Sequence, residues 1–542
     1  MFPGIMTRGG SMARRLTLAG TAAALAACGG PEARPTSGNP AARPPLVVVG
    51  IDGAEWAVVR RLWGEGRLPH LERLAEGGAS GVLETAYGAS PVIWTTIATG
   101  RTPEEHGITD FVVNTEAGAV PVSSALRRVP ALWSMAARAG KRTAVLGWWA
   151  SWPAEEIDGV VVSDRVHLTS DRAVHPPAEW PEVESARAAA RNRHDGFAGG
   201  LSASDPWMED GALRDRIMAS EARRLAPKAF DLLLVYFRTV DIASHRYWKY
   251  YEPQRYPGTL RRVGERGAEV IPTVYEATDR ALGEILAACP PGTNVLVVSD
   301  HGFVAGPENP FVQLNTERLL EHLGLLVREG EAVDFARSVA YPVDSPGHAR
   351  VKLLRLSRAG REPGGRITAD RAPREIDRVA RLLESVRYEG GGPVFRVRRK
   401  DLPPDADLAA EVSLHEPTLT VRAGGRTYAD VVGYINSISG THNDRTHGLW
   451  VAWGPDVARG AAVEGMSVLD VAPTILYALG LPVAEDFAGK ARTELFTESF
   501  RSRRRLRTIP SWGTMASWRA ETSAVDAKIV DELRALGYLS SP

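Results

Sequence analysis

The pattern of apolar and polar positions divides the chain into strand-like and helix-like runs. Three unbroken apolar runs, "PLVVVGIDGA" (45–54), "FDLLLVYFRTVD" (230–241) and "TNVLVVSDHG" (293–302), each end in or just before an aspartate. Apolar runs without alternation mark strands buried on both faces. "GLWVAWGP" (448–455) predicts a fourth strand, directly preceded by histidines. Helical segments are predicted between them, at 68–78, 131–141, 273–289 and 468–480. This alternation implies an α/β fold: a doubly wound, mainly parallel sheet with helices on both faces. Such sheets bind ligands beyond the carboxyl ends of their strands. Asp52, Asp241, Asp300 and His301 all fall there.

The pattern breaks over 303–438, a polar, Gly- and Pro-rich stretch that reads as an inserted cap. The core is then expected at 46–302 and 439–495, followed by a C-terminal extension, 496–542. "ASPVIWTTIATG" (89–100) predicts a helix start, with Ser90 as the N-cap and Pro91 in the first helical position. A chain of 542 residues, 44% hydrophobic, can bury a large core. Lys+Arg and Asp+Glu are both 65, so no nucleic-acid footprint is present.

The N-terminus carries an address. "MARRLTLAGTAAALAACGG" (12–30) joins an Arg pair to an apolar stretch too short to span a bilayer. Its "LAAC" (25–28) resembles the bacterial lipobox, whether translation starts at Met1 or Met12. Residues 1–28 are therefore expected to be a lipoprotein signal peptide, with Cys28 lipidated. Residues 29–45, rich in Pro, Gly and Ala, make a flexible tether. The expected location is outside the cytoplasm, anchored to a bacterial membrane and facing the periplasm or the exterior. Cys289 is the one other cysteine, so a lipidated Cys28 leaves no disulfide framework.

The strand-end residues form a donor set. Asp241 and His245 are four apart and share a helix face; Asp300 and His301 adjoin on a loop; "SGTHNDRTHG" (439–448) offers His442 or His447. Three Asp, three His and the Ser90 oxygen make two neighbouring sites of mixed N/O ligation, which suits zinc. Three carboxylates and a serine alkoxide also balance two divalent ions.

The blocks "VVVGIDGA", "ASPVIWTTIATGRTPEEHGI", "VDIASH", "VVSDHGF", "SGTH" and "DVAPTILYALGLPVAEDFAGKA" occur in this order. Together they resemble the alkaline phosphatase superfamily, most of all its type I phosphodiesterase/nucleotide pyrophosphatase branch. The resemblance implies an alkaline phosphatase-like fold and a metal-dependent hydrolase of phosphate esters. By motif, Asp52, Ser90, Asp300 and His301 hold one divalent metal; Asp241, His245 and His442, preferred over His447, hold the other. Ser90 is the implied nucleophile, forming a phosphoserine that water hydrolyses. His106 matches a family histidine read as structural. The family's asparagine three residues after the nucleophile is Ile93 here; Arg238 or Arg101 are candidates to replace it. Phosphomonoesterase activity at the same site is the alternative, and a non-catalytic surface-binding lipoprotein the second. "PVIW" after Ser90 does not match a sulfatase motif. The expected partner is a small phosphate ester; no protein partner is legible.

Overall fold

The computed structural model describes residues 45–539, except 116–117, 192–194, 200–204, 256–266, 307–310, 331, 344–350, 389–390, 404–405, 414–419, 430, 436–437, 443–445 and 517. The expected signal peptide and nearly all of the tether lie outside the described residues. An eight-stranded sheet runs through the centre. Its strands are β1 (Leu46–Ile51), β2 (Ala79–Leu83), β3 (Thr143–Leu146), β4 (Gly159–Val162), β5 (Val174–His175), β6 (Leu232–Phe237), β7 (Asn294–Val298) and β8 (Gly448–Trp453). Their order is β2-β8-β7-β1-β6-β3-β4-β5. From β7 to β4 the strands are parallel, whereas β8, β2 and β5 pair antiparallel at the edges. The sheet is mainly parallel, as the apolar runs predict.

Helices cover both faces. Val47, Val49 and Ile51 of β1 pack toward α2 (Pro206–Leu225), α3 (Thr239–Tyr251) and α4 (Val270–Ala288). Leu46 and Val48 face the other way, toward α1 (Ser90–Thr99) and α5 (Val471–Ala478). Successive side chains of a strand point to opposite faces, so one apolar strand feeds both clusters. Among the described residues, no helix is long and apolar enough to cross a membrane.

Register decides where the strand ends meet. Val49 lies opposite Val235 of β6 on one side and Val297 of β7 on the other. The residues after Ile51, Phe237 and Val298 therefore emerge side by side at one rim.

The segment expected as an insertion has sheets of its own. Val304–Ala305 pairs antiparallel with Gly440–Thr441, and Phe311–Leu314 with Val432–Ile435. Between these ladders, a four-stranded antiparallel sheet and helix Ala372–Glu384 enclose a separate cluster including Leu319, Leu354, Val379, Leu383 and Phe395. The C-terminal residues end in α6 (Asp526–Ala535), whose Val530 and Leu533 enter the α1-side cluster.

Candidate metal centre

Short contacts lock the loops at the sheet rim. Asp52 N–H donates to the Phe237 carbonyl (2.9 Å) and Ala54 N–H to Ser299 Oγ (2.8 Å). Gly53 lies at φ +68°, and a Cβ there would stand 2.6 Å from the Phe303 ring, so only glycine fits. Its N–H donates to Asp300 Oδ1 (3.2 Å), tying the β1 and β7 loops together. The start of α3 is capped from α2: the buried Asp215 carboxylate accepts from the Arg238 and Thr239 N–H groups and from Thr239 Oγ1. That fixes Asp241 and His245 on successive turns. The ladder pairing Val304 with Thr441 brings His442 back beside His301, the two rings stacking at 3.6 Å.

Ser90 departs from expectation by one residue. Ala89 is the N-cap (φ −119°, ψ 122°), Ser90 the first helical residue and Pro91 the second, and no side chain caps the helix. The Ala89 carbonyl takes the Ile93 N–H (3.0 Å), which starts the helix one residue earlier and leaves the Ser90 hydroxyl free of capping. Instead Ser90 Oγ lies 3.4 Å from Asp52 Oδ1 and 3.3 Å from His301 Nε2, at the positive end of α1.

The spacing of these atoms suits a cation. His301 Nε2 is 3.4 Å from Asp52 Oδ1 and 3.3 Å from Asp300 Oδ2. O–H···O hydrogen bonds are shorter, about 2.5–3.0 Å. Ligand atoms around a tetrahedral ion bound at about 2.0–2.1 Å lie about 3.3 Å apart. Asp52, Ser90, Asp300 and His301 thus outline one four-atom pocket. Asp241 Oδ1 and His245 Nε2, 3.4 Å apart, give one edge of a second. Ligand atoms of Asp52, Asp300 and His301 lie within 4.8 Å of one another, as do those of Asp241, His301 and His442. His301 therefore stands between the two pockets. Asp241 Oδ1, Asp300 Oδ2 and His442 Nδ1 are buried without a hydrogen-bond partner. Buried lone pairs left unpaired are costly, and a cation satisfies them. The residues fit divalent cations.

Neighbouring groups orient the ligands. Asp52 Oδ2 accepts from the Tyr236 hydroxyl and from Trp149 Nε1 (3.3 Å), turning Oδ1 toward the pocket. His301 Nδ1 lies 3.1 Å from the Gly302 carbonyl and His245 Nδ1 3.2 Å from that of Gly440. A carbonyl only accepts, so each Nδ1 carries the proton and each Nε2 presents its lone pair. Burial pushes Asp52 up, with Asp241 adding to it, and pushes Asp300 well up, with Asp52 adding to it. Burial holds His301 and His442 below the usual histidine range, so both are neutral.

Other candidates lie apart. His447 is exposed, and its Nδ1 accepts from Thr85 N–H (3.3 Å). His106 is buried between Thr96 Oγ1 and the Ile108 N–H, a structural role, and burial pushes it down to about 3. Arg101 pairs with Glu105 and Asp486 beyond the far end of α1. Ile93 is fully buried in the core. Arg238 pairs with Glu532 at 2.7 Å. Tyr236, Trp149 and Tyr538, all touching site residues, were not anticipated: Tyr236 looks like one more core residue of its strand, and Tyr538 sits in a C-terminal run with no motif.

Residues 46–451 match the model for type I phosphodiesterase/nucleotide pyrophosphatase. The chain belongs to this family. It is thereby a phosphoester hydrolase of the alkaline phosphatase superfamily. No curated protein matches it in sequence. Among solved structures, human ectonucleotide pyrophosphatase/phosphodiesterase 5 is similar at 13% identity, covering 84% of this chain and 100% of that one, with TM-score 0.47. The inactive murine counterpart in complex with AMP shows 14% identity over 84% and 100%, with TM-score 0.46. Phosphonoacetate hydrolase from Sinorhizobium meliloti, in complex with phosphonoacetate, shows 17% over 81% and 95%, with TM-score 0.44.

Proposed function

We propose that this family member hydrolyses phosphodiesters through a Ser90 phosphoenzyme at a centre of two divalent cations. The observation that carries the reading is the position of Ser90 Oγ at 3.3–3.4 Å from both His301 Nε2 and Asp52 Oδ1. A hydroxyl there completes a cation's polyhedron and also faces a substrate entering at the rim. Asp52, Ser90, Asp300 and His301 hold one ion; Asp241, His245 and His442 hold the other. Two bound cations, for which zinc matches the donor set, favour the Ser90 alkoxide and offset charge on the attacking and leaving oxygens. Ser90 Oγ yields its proton to solvent and bonds to phosphorus as the bond to the leaving oxygen breaks. The leaving group departs with that electron pair. Water then displaces Ser90 from phosphorus, releasing the phosphoryl product and restoring the hydroxyl. The positive end of α1 lies beside the phosphoryl group throughout. Residues 303–438 serve as the cap, since Phe303 at one end packs against His442 just past the other (5.4 Å).

Zinc analysis of the purified protein, with turnover of bis-p-nitrophenyl phosphate against p-nitrophenyl phosphate, tests this. Two zinc ions per chain and faster diester turnover are expected; preference for the monoester assigns the centre to monoesters instead.

The site and the N-terminus each carry one more expected outcome. His442→Ala is expected to lower kcat/KM about 100-fold or more. His447→Ala costs less than the roughly tenfold typical of an outer partner, as steady-state kinetics will show. We also propose export and lipidation at Cys28. The wild-type chain then partitions with membranes and Cys28→Ser does not; a wild-type chain in the soluble fraction overturns lipidation.

A further inference from the structure

The C-terminal segment reaches the centre. Helix α6 is held to the rim by two ion pairs, Glu532 with Arg238 (2.7 Å), which is buried, and Asp526 with Arg165 (2.8 Å), which is half-buried. Leu536 enters the sheet-face cluster opposite the one that takes Val530 and Leu533. After the helix, Tyr538 N–H returns to the Leu533 carbonyl (2.9 Å) and turns the side chain inward. The Tyr538 ring stacks on Phe111 at 4.3 Å and meets His245 edge-on at 5.1 Å. Its hydroxyl lies 2.8 Å from Asp241 Oδ2 and 2.7 Å from His245 Nε2.

Counting protons shows what this triangle lacks. His245 Nδ1 faces the Gly440 carbonyl and keeps its hydrogen, so neutral Nε2 is an acceptor. The Asp241 carboxylate is also an acceptor. Tyr538 has one hydrogen for the two contacts. An ion on Nε2 and Asp241 Oδ1 leaves the hydroxyl a single acceptor, Asp241 Oδ2, and turns its lone pairs toward the charge. Asp241 Oδ1, buried without a partner, is the atom left for that ion.

We propose that Tyr538 is a positioning residue of the second cation pocket, holding Asp241 by Oδ2 so that Oδ1 faces the ion. This rests on the two-cation reading above. Tyr538→Phe keeps the ring on Phe111 and removes only the hydroxyl. Chelator-treated wild-type and variant chains are titrated with Zn2+ by calorimetry, with circular dichroism confirming the fold. The wild-type chain is expected to bind two Zn2+. The variant is expected to bind one as tightly as wild type and the other about 10- to 100-fold more weakly, the usual cost of removing a partner of a ligand. Unchanged affinity for both ions, or equal weakening of both, overturns the role of Tyr538 and leaves the two-cation reading standing. A wild-type chain that binds no Zn2+ overturns both.

Discussion

Ser90→Ala is expected to lower turnover of bis-p-nitrophenyl phosphate by about 10⁴-fold or more, as loss of a covalent nucleophile does elsewhere. That is about 5.5 kcal/mol of transition-state stabilisation. The effect is large because Ser90 Oγ alone, among the described residues, places a hydroxyl within 3.4 Å of both Asp52 Oδ1 and His301 Nε2. The fold is expected to survive. Ser90 caps nothing, Ala89 already starts the helix, and alanine is the better helix former. Melting temperature and circular dichroism of the chelator-treated variant should match those of chelator-treated wild type. Acid-quenched wild-type enzyme should carry phosphate on residue 90 by mass spectrometry. Turnover within tenfold of wild type would remove Ser90 from the chemistry.

The central strands were legible because burial on both faces writes them as unbroken apolar runs. Asp52, Asp241, Asp300 and His301 were legible for a related reason: each comes directly after such a run, and a parallel sheet gathers the residues just past its strand ends at one rim. The edges were not. Thr143–Leu146, Gly159–Val162 and Val174–His175 are too short to show a period, and they are strands only because β6 offers the first of them a ladder. Ser90 was misplaced by one position because Ser-Pro looks the same as N-cap and first residue or as first and second. The carbonyl of Ala89, which local pattern does not reveal, decides between them.

His442 and Tyr538 mark the boundary of what one dimension carries. His442 and His447 sit in one short polar stretch, and nothing local ranks them. The ladder from Val304 to Thr441 draws one inward, and the Thr85 N–H holds the other at the surface. Tyr538 is nearly 300 residues from Asp241 in sequence. Its contact depends on how α6 docks across the rim, through Leu533 on one side and Leu536 on the other.

Removing the cations is the second large perturbation, and its size should depend on pH. Without them, Asp52 and Asp300 share a buried space with Asp241, and burial holds the first two above their usual value. The unfolded chain releases those protons near pH 4. Between that value and the raised folded values, these two carboxyls hold more protons in the folded protein than in the unfolded one, so their contribution to stability falls as pH rises. Bound cations reverse the trend, because ligation needs the ionised carboxylates and the neutral histidines. At a free Zn2+ level 1,000 times Kd, each site adds about 4 kcal/mol. The melting-temperature gap between Zn2+-loaded and chelator-treated protein should therefore widen from pH 5 to pH 8, with turnover lost on chelation and restored by Zn2+. A gap that stays constant with pH would mean that these carboxylates are not what the cations compensate. No gap at pH 8, with turnover intact, would mean that the centre works without them.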